Sequence, residues 1–142
     1  MMIETRNFGP MEIDTEQVVH FKQTLYGFEE QRDFVVLSDS NIGDCFLWLQ
    51  SITSKEVCFI LVVPAALPER YDPLLPGEMA TLLEIDDPLD VIVRLVAVIP
   101  EKFTESTVNL KSPIIINTVR RCAAQVMLEE DYPVRAPLVA VK

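Results

Sequence analysis

Residues that build common catalytic motifs are scarce in this sequence of 142 residues. The four glycines form no phosphate-binding loop, and the single histidine, His20, leaves no histidine pair to bind a metal ion. The three cysteines, Cys45, Cys58 and Cys122, are an odd number at wide spacing, which argues against a disulfide framework and against a metal site. Each cysteine lies among apolar residues, so we interpret all three as small buried hydrophobic side chains. We therefore expect no metal and no cofactor.

A catalytic role for His20 is one alternative to a protein without enzymatic activity. His20 lies in the segment VVHF, where strand alternation places it on the polar side, and no local motif identifies a nucleophile for a triad. The acidic groups at 29–30, 86–87 and 129–131 consist of adjacent residues, which suit turns better than acid–base catalysis. We expect the protein not to be an enzyme, and we keep a small β-barrel enzyme or ligand carrier as an alternative.

Long apolar runs are also missing. The longest, VCFILVVPAAL at 57–67, is interrupted by Pro64 and is shorter than the roughly 20 residues of a membrane-spanning helix. The N-terminal MMIETRNFGP has no basic start followed by an apolar stretch, so it does not look like a signal peptide. These features predict a cytoplasmic protein without membrane association. A chain of 142 residues, 49% of them hydrophobic, suits a single domain spanning 1–142 with a buried core.

Basic residues are outnumbered by acidic ones, 12 to 22, which gives a formal net charge of −10. Residues 1–50 hold nine acids and three bases, residues 69–90 hold seven acids and one base, and residues 91–142 hold five acids and seven bases. An acidic surface repels phosphate groups, so we expect no direct binding to nucleic acid. The same surface attracts basic proteins. An acidic inhibitor of some basic protein is therefore a further alternative, although such a charge also serves simple solubility.

Ten prolines separate short apolar runs and mark their ends. The runs are rich in β-branched and aromatic residues, which predicts strands. The predicted strands span 33–37, 45–50, 57–63, 91–99, 113–117 and 123–128, with shorter ones expected in MIETR, MEI and VVHF. Most connections are too short for a crossover helix, so the sequence predicts a mainly β fold, a compact antiparallel or mixed barrel-like sheet. One short helix is expected near residues 77–84, where LPGEMATLLEI has near-helical spacing.

The segment VIVRLVAVI is apolar on both faces under strand alternation, which predicts a central strand covered on both sides. Arg94 lies on one of these faces, and a buried guanidinium needs a carboxylate or carbonyl partner. We interpret Arg94 as a member of a structural ion pair. In the strand at 45–50, Phe46 and Trp48 share one face, and core packing is the favoured role for both.

Two loop features carry open questions. Tyr26 and Phe28 flank Gly27, which permits a positive φ in a turn, and such loop aromatics act either as partner anchors or as plugs of the core. In the stretch VNLKSPIIIN, we interpret Asn109 mainly as a fastener that ties a neighbouring loop to the sheet, and Asn117 as the end of the apolar run. A partner contact at Asn109 is the less favoured alternative.

Several segments, which span nearly the whole chain, match the pattern of one known family. MIETRNFGPMEI is similar to that family's opening strand, glycine turn and second strand, and YGFEEQRDFVVL is similar to its loop and following strand. FLWLQSITSKEVCFILVVP resembles the segment with a Leu-Gln-Ser core, and QVML and YPVRAPL resemble the closing strand and tail. PEKFTESTVNLKSPIIIN is the most specific segment, and in this order and spacing the segments resemble the flagellar assembly factor FliW family. Tyr26 and Lys55 stand where the family usually has proline, which loosens two loops.

The resemblance implies a compact, mostly β, barrel-like regulator without enzymatic activity. FliW-like proteins bind flagellin in the cytoplasm and, once flagellin has been secreted, capture the RNA-binding translational regulator CsrA, which then releases flagellin mRNA. The implied partners are flagellin and CsrA, and we expect the free protein to be a monomer.

Helical and loop surfaces are easier to offer to a partner than interior strands. We therefore place the candidate partner-binding surface on the acidic segment 69–90, with its helix, and on the loop that holds Tyr26 and Phe28, which we call the aromatic loop. The candidate residues are Tyr26, Phe28, Glu78, Asp86, Asp87, Asp90 and Asn109.

Overall fold

The computed structural model describes residues 1–139, so residues 140–142 of the expected domain lie outside the described part of the chain. The elements are β1 Met2–Thr5, β2 Gly9–Glu12, β3 Val18–Gln23, β4 Asp33–Leu37, β5 Phe46–Ser51, β6 Cys58–Val62, α1 Glu78–Leu82, β7 Val91–Val98, β8 Thr107–Val108, β9 Ile114–Asn117, β10 Cys122–Gln125 and β11 Ala136–Pro137. Single 3-10 turns precede β3 and β7, follow β6, and lie between β7 and β8.

Seven of these strands close into a mixed barrel. Hydrogen bonds run from β3 through β4, β5, β6, β7, β9 and β10 and return to β3. Every pair in this circuit is antiparallel except β3 with β10, which is parallel. Strands β8 and β11 extend the sheet outward from β7, and β1 with β2 forms a separate hairpin. Closure leaves few free strand edges, which removes sites where other chains could add strands.

The barrel interior is filled with apolar side chains, and three smaller clusters pack against its outside. Phe21, Phe34 and Leu49 are completely buried in the interior cluster. Outside, one cluster lies under α1, one under β8 and β11, and one under the β1–β2 hairpin. This arrangement explains why several strands are apolar on both faces, since the barrel core covers one face and an outer cluster covers the other.

Strand β7 is covered on both sides over residues 92–97, as predicted, whereas Val98 at its end is 65% exposed. Ile92 and Val96 pack against the interior cluster, whereas Leu95 and Ala97 belong to the cluster under β8 and β11. Arg94 lies between Ile92 and Val96 and is half-buried. Its Nη1 donates to the backbone carbonyl of Val93 at 2.8 Å.

The predicted ion pair of Arg94 is wrong. Within residues 1–139 no carboxylate lies within salt-bridge distance of this guanidinium, and its Nε is buried without a hydrogen-bond partner. Burial lowers the pKa of Arg94 from its ordinary value. The hydrogen-bond partner of Arg94 is thus a backbone carbonyl of its own strand, because the side chain turns back along β7.

The remaining fold predictions are largely confirmed. The mainly β class and the short helix are observed, and β4 has the predicted bounds. Phe46 and Trp48 are half-buried and pack on outer clusters, with Trp48 edge-on to Phe8 at 5.2 Å between ring centroids. Strands β8 and β11 were not predicted, since two-residue strands leave no alternation to detect.

No helix among residues 1–139 has both the length and the apolar character required to cross a membrane.

Candidate partner-binding surfaces

The only histidine lies outside the barrel. His20 Nδ1 is 2.7 Å from Asp33 Oδ1, and both side chains are exposed. The described residues include no group of three or more His, Cys, Asp or Glu side chains placed to hold a metal ion. An exposed His–Asp pair above a filled barrel has none of the water exclusion that catalytic acid–base pairs use.

The three cysteines occupy different environments, and the prediction that all are buried is wrong for Cys45. Cys122 is buried under α1, where its Sγ donates to the carbonyl of Leu83 at 3.4 Å. Cys58 is half-buried, and Cys45 is exposed because it precedes β5 at the end of a loop. The apolar sequence context therefore correctly predicted at least partial burial for Cys58 and Cys122, and failed for Cys45.

The loop after β3 presents Phe28 partly to solvent. Gly27 has φ +85°, the left-handed conformation that favours glycine. Phe28 N donates to the carbonyl of Leu25 at 2.9 Å, which closes a tight turn. The Phe28 ring packs edge-on against Phe59 with centroids 5.0 Å apart, yet 37% of the residue is exposed. Phe28 is therefore a plug on one side and an accessible aromatic surface on the other.

Tyr26 is held through its backbone while its ring lies half in solvent. Its N–H donates to Oε1 of the buried Gln125 at 3.0 Å, and 50% of Tyr26 is exposed. Partial burial raises the pKa of Tyr26. Gln125 Nε2 in turn donates to the carbonyl of Ser112 at 3.2 Å. The aromatic loop is thus connected through one buried amide to the turn that contains Asn109.

Asn109 shapes that turn. Its Oδ1 accepts from the N–H groups of Lys111 and Ser112, both at 3.0 Å, and its own N–H donates to the carbonyl of Val96 at 2.9 Å. The half-buried side chain therefore fastens its own turn, while its backbone attaches that turn to β7. The fastener interpretation fits these contacts, with the difference that the side chain holds its own loop.

The acidic candidates lie on α1 and on the loop 83–90 that leads into β7, which we call the acidic loop. Glu78 is exposed in the first turn of α1. Asp86 faces Arg120 Nη2 at 3.4 Å, and Asp87 Oδ1 accepts from Leu89 N at 2.9 Å as the cap of a 3-10 turn. Asp90 is half-buried. Within the described chain, no hydrogen bond or ion pair joins the acidic candidates to Tyr26 or Phe28.

A buried asparagine fixes the acidic loop to the barrel. Asn117 is 1% exposed, and its Nδ2 donates to the carbonyl of Leu83 at 2.8 Å. Its Oδ1 accepts from Val119 N and Arg120 N, both at 3.1 Å. The end of α1 and the β9–β10 turn are therefore held by the same side chain. Glu84, which follows α1, has a positive φ of 52° that glycine usually adopts.

An apolar groove was not predicted from the sequence. It has a volume of about 520 Å³ and lies between the segment after β6 and the C-terminal segment. Tyr71 and Tyr132 form part of its wall with ring centroids 4.9 Å apart, and Tyr71 Oη donates to the carbonyl of Leu110 at 2.7 Å. The groove joins segments far apart in sequence, so no local pattern could reveal it.

The closed, filled barrel with exposed acidic and aromatic loops defines this chain as a small, mainly β barrel protein. The model of the family described as FliW protein matches residues 2–138, and the chain belongs to this family. The predicted family and the absence of enzymatic activity are thereby confirmed, because FliW proteins are flagellar assembly factors.

Individual relatives agree with this assignment. The flagellar assembly factor FliW of Bacillus subtilis is 37% identical over 139 residues, which cover 97% of this chain and 96% of the relative. That of Ruminiclostridium cellulolyticum is 35% identical over 136 residues, which cover 95% and 92% of the two chains. A crystal structure of the flagellar assembly factor FliW superposes with a TM-score of 0.92 at 29% identity, over 100% of this chain and 99% of that one.

Proposed function

We propose that this protein binds flagellin in the cytoplasm and, when flagellin is not bound, captures CsrA and so antagonises repression of flagellin mRNA. The observation that carries the proposal is the family relationship over residues 2–138. We further propose that the chain acts as a monomer and as a single domain over 1–142.

The charge of the protein supports a basic partner. The formal net charge is −10, and residues 69–90 alone hold seven acids and one base. A regulator that binds RNA uses basic surface, and an acidic protein held close to that surface disfavours RNA phosphates. The same charge argues against direct RNA binding by this protein itself.

We propose two contact regions on the barrel. The aromatic loop has one exposed face of Phe28 and the half-exposed ring of Tyr26, and aromatic side chains on a rigid base are effective interface anchors. The acidic loop has exposed carboxylates that promote association. Asn109 joins the proposal as the residue that shapes the turn behind Tyr26. The proposed residues are Tyr26, Phe28, Glu78, Asp86, Asp87, Asp90 and Asn109.

The direct test measures binding of the purified protein to the flagellin and to the CsrA encoded in the same genome. Isothermal titration should give a stable complex with each partner, and preloading with flagellin should prevent capture of CsrA. Absence of binding to both partners at micromolar concentration would overturn the proposal. Binding to CsrA that disappears at modest salt would instead favour the purely acidic inhibitor, since exposed charges are screened.

Charge reversal tests the acidic region. The triple variant Asp86→Lys, Asp87→Lys and Asp90→Lys should slow association with CsrA by about tenfold or more at low salt. The matched control reverses Glu101, Glu105 and Glu129, which are exposed on other parts of the chain. It changes the net charge equally. Equal effects of the two variants would show that total charge acts instead of this loop.

A further inference from the structure

The turn at residues 109–112 receives side chains from two distant parts of the chain. We call these four residues the coupling turn. At one end, Gln125 Nε2 donates to the carbonyl of Ser112 at 3.2 Å, and at the other end Tyr71 Oη donates to the carbonyl of Leu110 at 2.7 Å. The two acceptors are two residues apart in one short turn, so a change at either donor acts on the same piece of backbone.

One side chain holds the coupling turn together. Asn109 Oδ1 accepts from the N–H groups of Lys111 and Ser112, both at 3.0 Å, and Asn109 N donates to the carbonyl of Val96 in β7 at 2.9 Å. Because this side chain bridges the turn, the carbonyls at its two ends keep a fixed relative position. The turn therefore shifts as one body rather than residue by residue.

Each end of the coupling turn reaches a different surface of the protein. Gln125 Oε1 accepts from Tyr26 N at 3.0 Å, so Gln125 joins the turn to the aromatic loop. The Tyr71 ring packs on Tyr132 with ring centroids 4.9 Å apart, and both rings line the apolar groove. Hydrogen bonds and one short turn thus connect the aromatic loop to the groove wall.

Burial makes the bonds at the Gln125 end hard to replace. Gln125 is 6% exposed and Ser112 is 3% exposed, so water does not readily take the place of a lost partner. A buried donor or acceptor without a partner costs more free energy than the hydrogen bond itself contributes. Loss of order at one end therefore favours rearrangement of the whole turn, which weakens the bond at the other end.

We propose that the coupling turn is a conformational device that links the two surfaces, so that disorder in the aromatic loop releases Tyr71 and reshapes the groove. The link works in both directions, because coupling between two sites is reciprocal. It is a property of the free protein. Its use by a partner held on the aromatic loop rests on the proposed function, in which that loop is a contact region.

Native-state hydrogen exchange at the Tyr26 amide tests the link, since the coupling turn separates this amide from Tyr71. Tyr71→Phe keeps the ring and removes the donor to the carbonyl of Leu110, so the Tyr26 amide should exchange about threefold or more faster than in the wild type. The amide of Arg6, which Gln50 Oε1 holds at 3.0 Å in another region, should be unchanged.

Tyr132→Phe is the matched control. It removes a hydroxyl from the same wall and leaves the bond between Tyr71 and Leu110 in place, so the Tyr26 amide should change by less than about 1.5-fold.

The reverse experiment uses Gln125→Ala and the amide of Leu110, which donates to the carbonyl of Pro133 at 3.1 Å. This amide should exchange about threefold or more faster than in the wild type. When Tyr71→Phe is added to Gln125→Ala, the Tyr26 amide should accelerate by no more than about a further 1.5-fold, because the link is already broken.

Unchanged exchange at Tyr26 in Tyr71→Phe would overturn the proposal. So would an equal acceleration of the Arg6 amide, which reports global unfolding, or an equal effect of Tyr132→Phe. Effects of Tyr71→Phe and Gln125→Ala that simply multiply in the double variant would also contradict it. These measurements need no partner. If the protein binds neither flagellin nor CsrA, the proposed function fails, while the coupling turn is judged on amide exchange alone.

Discussion

Asn109 and Asn117 make the same turn with the same side-chain atom. In each, Oδ1 accepts from the second and third N–H groups that follow, at 3.0 Å for Asn109 and 3.1 Å for Asn117. They differ in the other half of the amide. Asn117 Nδ2 donates to the carbonyl of Leu83 at 2.8 Å, so this residue also attaches the end of α1 to the barrel.

Because of this difference, substitution by aspartate should destabilise the protein more at Asn117 than at Asn109. Asn117→Asp keeps the acceptor but removes the donor and sets a carboxylate against the carbonyl of Leu83, which should lower the free energy of unfolding by about 2–4 kcal/mol. Asn109→Asp keeps both bonds of its acceptor and should cost less than about 1 kcal/mol. Urea unfolding of the two variants at neutral pH provides the comparison. Equal losses would contradict the role assigned to the Nδ2 group.

Gln125 should control the order of the aromatic loop. Gln125→Ala removes the acceptor for Tyr26 N–H and the donor to the carbonyl of Ser112, so the Tyr26 amide should exchange about tenfold faster or more. The amide of Arg6 is an internal control, because it is held by Gln50 Oε1 at 3.0 Å in a different region. Native-state hydrogen exchange measures both amides in one sample. Unchanged exchange at Tyr26 would show that the loop is ordered by other contacts.

Much of the barrel could be predicted because its signals are local. Strand β4 follows from its β-branched and aromatic composition, the two apolar faces of β7 follow from alternation, and the short helix follows from spacing around Met79 and Leu83. The parallel pairing of β3 with β10 could not be predicted, since it joins strands separated by most of the chain. Hydrogen-bond partners over such distances depend on closure of the whole barrel.

The candidate surfaces were only partly visible in the sequence. Gly27 correctly indicated a left-handed turn that exposes Tyr26 and Phe28. Gln125 has no local signature at all, because its two partners come from two distant loops.

Ionisation of the half-buried Tyr71 should lower the stability of the protein at alkaline pH. Burial, reinforced by nearby Tyr132 and Glu130, raises the pKa of Tyr71 well above its ordinary value of 10.0. Because the folded pKa exceeds the unfolded one, the contribution of neutral Tyr71 is fully present below about pH 10 and is lost as the pH rises toward the folded pKa. The unfolding temperature of the wild type should therefore fall above about pH 10.

Tyr71→Phe separates this contribution from that of other groups. The variant loses the hydrogen bond to the carbonyl of Leu110, so it should be about 1 kcal/mol less stable at neutral pH and show a shallower decline above about pH 10. Tyrosinate absorbance during an alkaline titration should lack its latest step. Tyr132→Phe is the control for removal of an aromatic hydroxyl from the same wall. A parallel decline in wild type and Tyr71→Phe would contradict the assignment.

The thiols should react in the order Cys45, Cys58, Cys122. Cys45 is exposed, whereas burial raises the pKa of both Cys58 and Cys122 and so reduces the reactive thiolate. Iodoacetamide followed by mass spectrometry should show Cys45 modified at least about tenfold faster than Cys122 in the native protein. In denaturant the rates should become similar. Fast native modification of Cys122 would show that α1 opens readily from β9 and β10.

Arg94 should be replaceable by an apolar side chain. Its Nε is buried without a partner, and its described contact is a hydrogen bond to the neighbouring carbonyl of Val93. Burying a charge without a carboxylate is costly, so Arg94→Met should leave the free energy of unfolding within about 1 kcal/mol of wild type or increase it. Arg94→Lys is the control, because it keeps the charge and loses the planar donor group. Urea unfolding measures all three proteins. A loss above about 2 kcal/mol in Arg94→Met, with Arg94→Lys near wild type, would show that the charge itself stabilises β7.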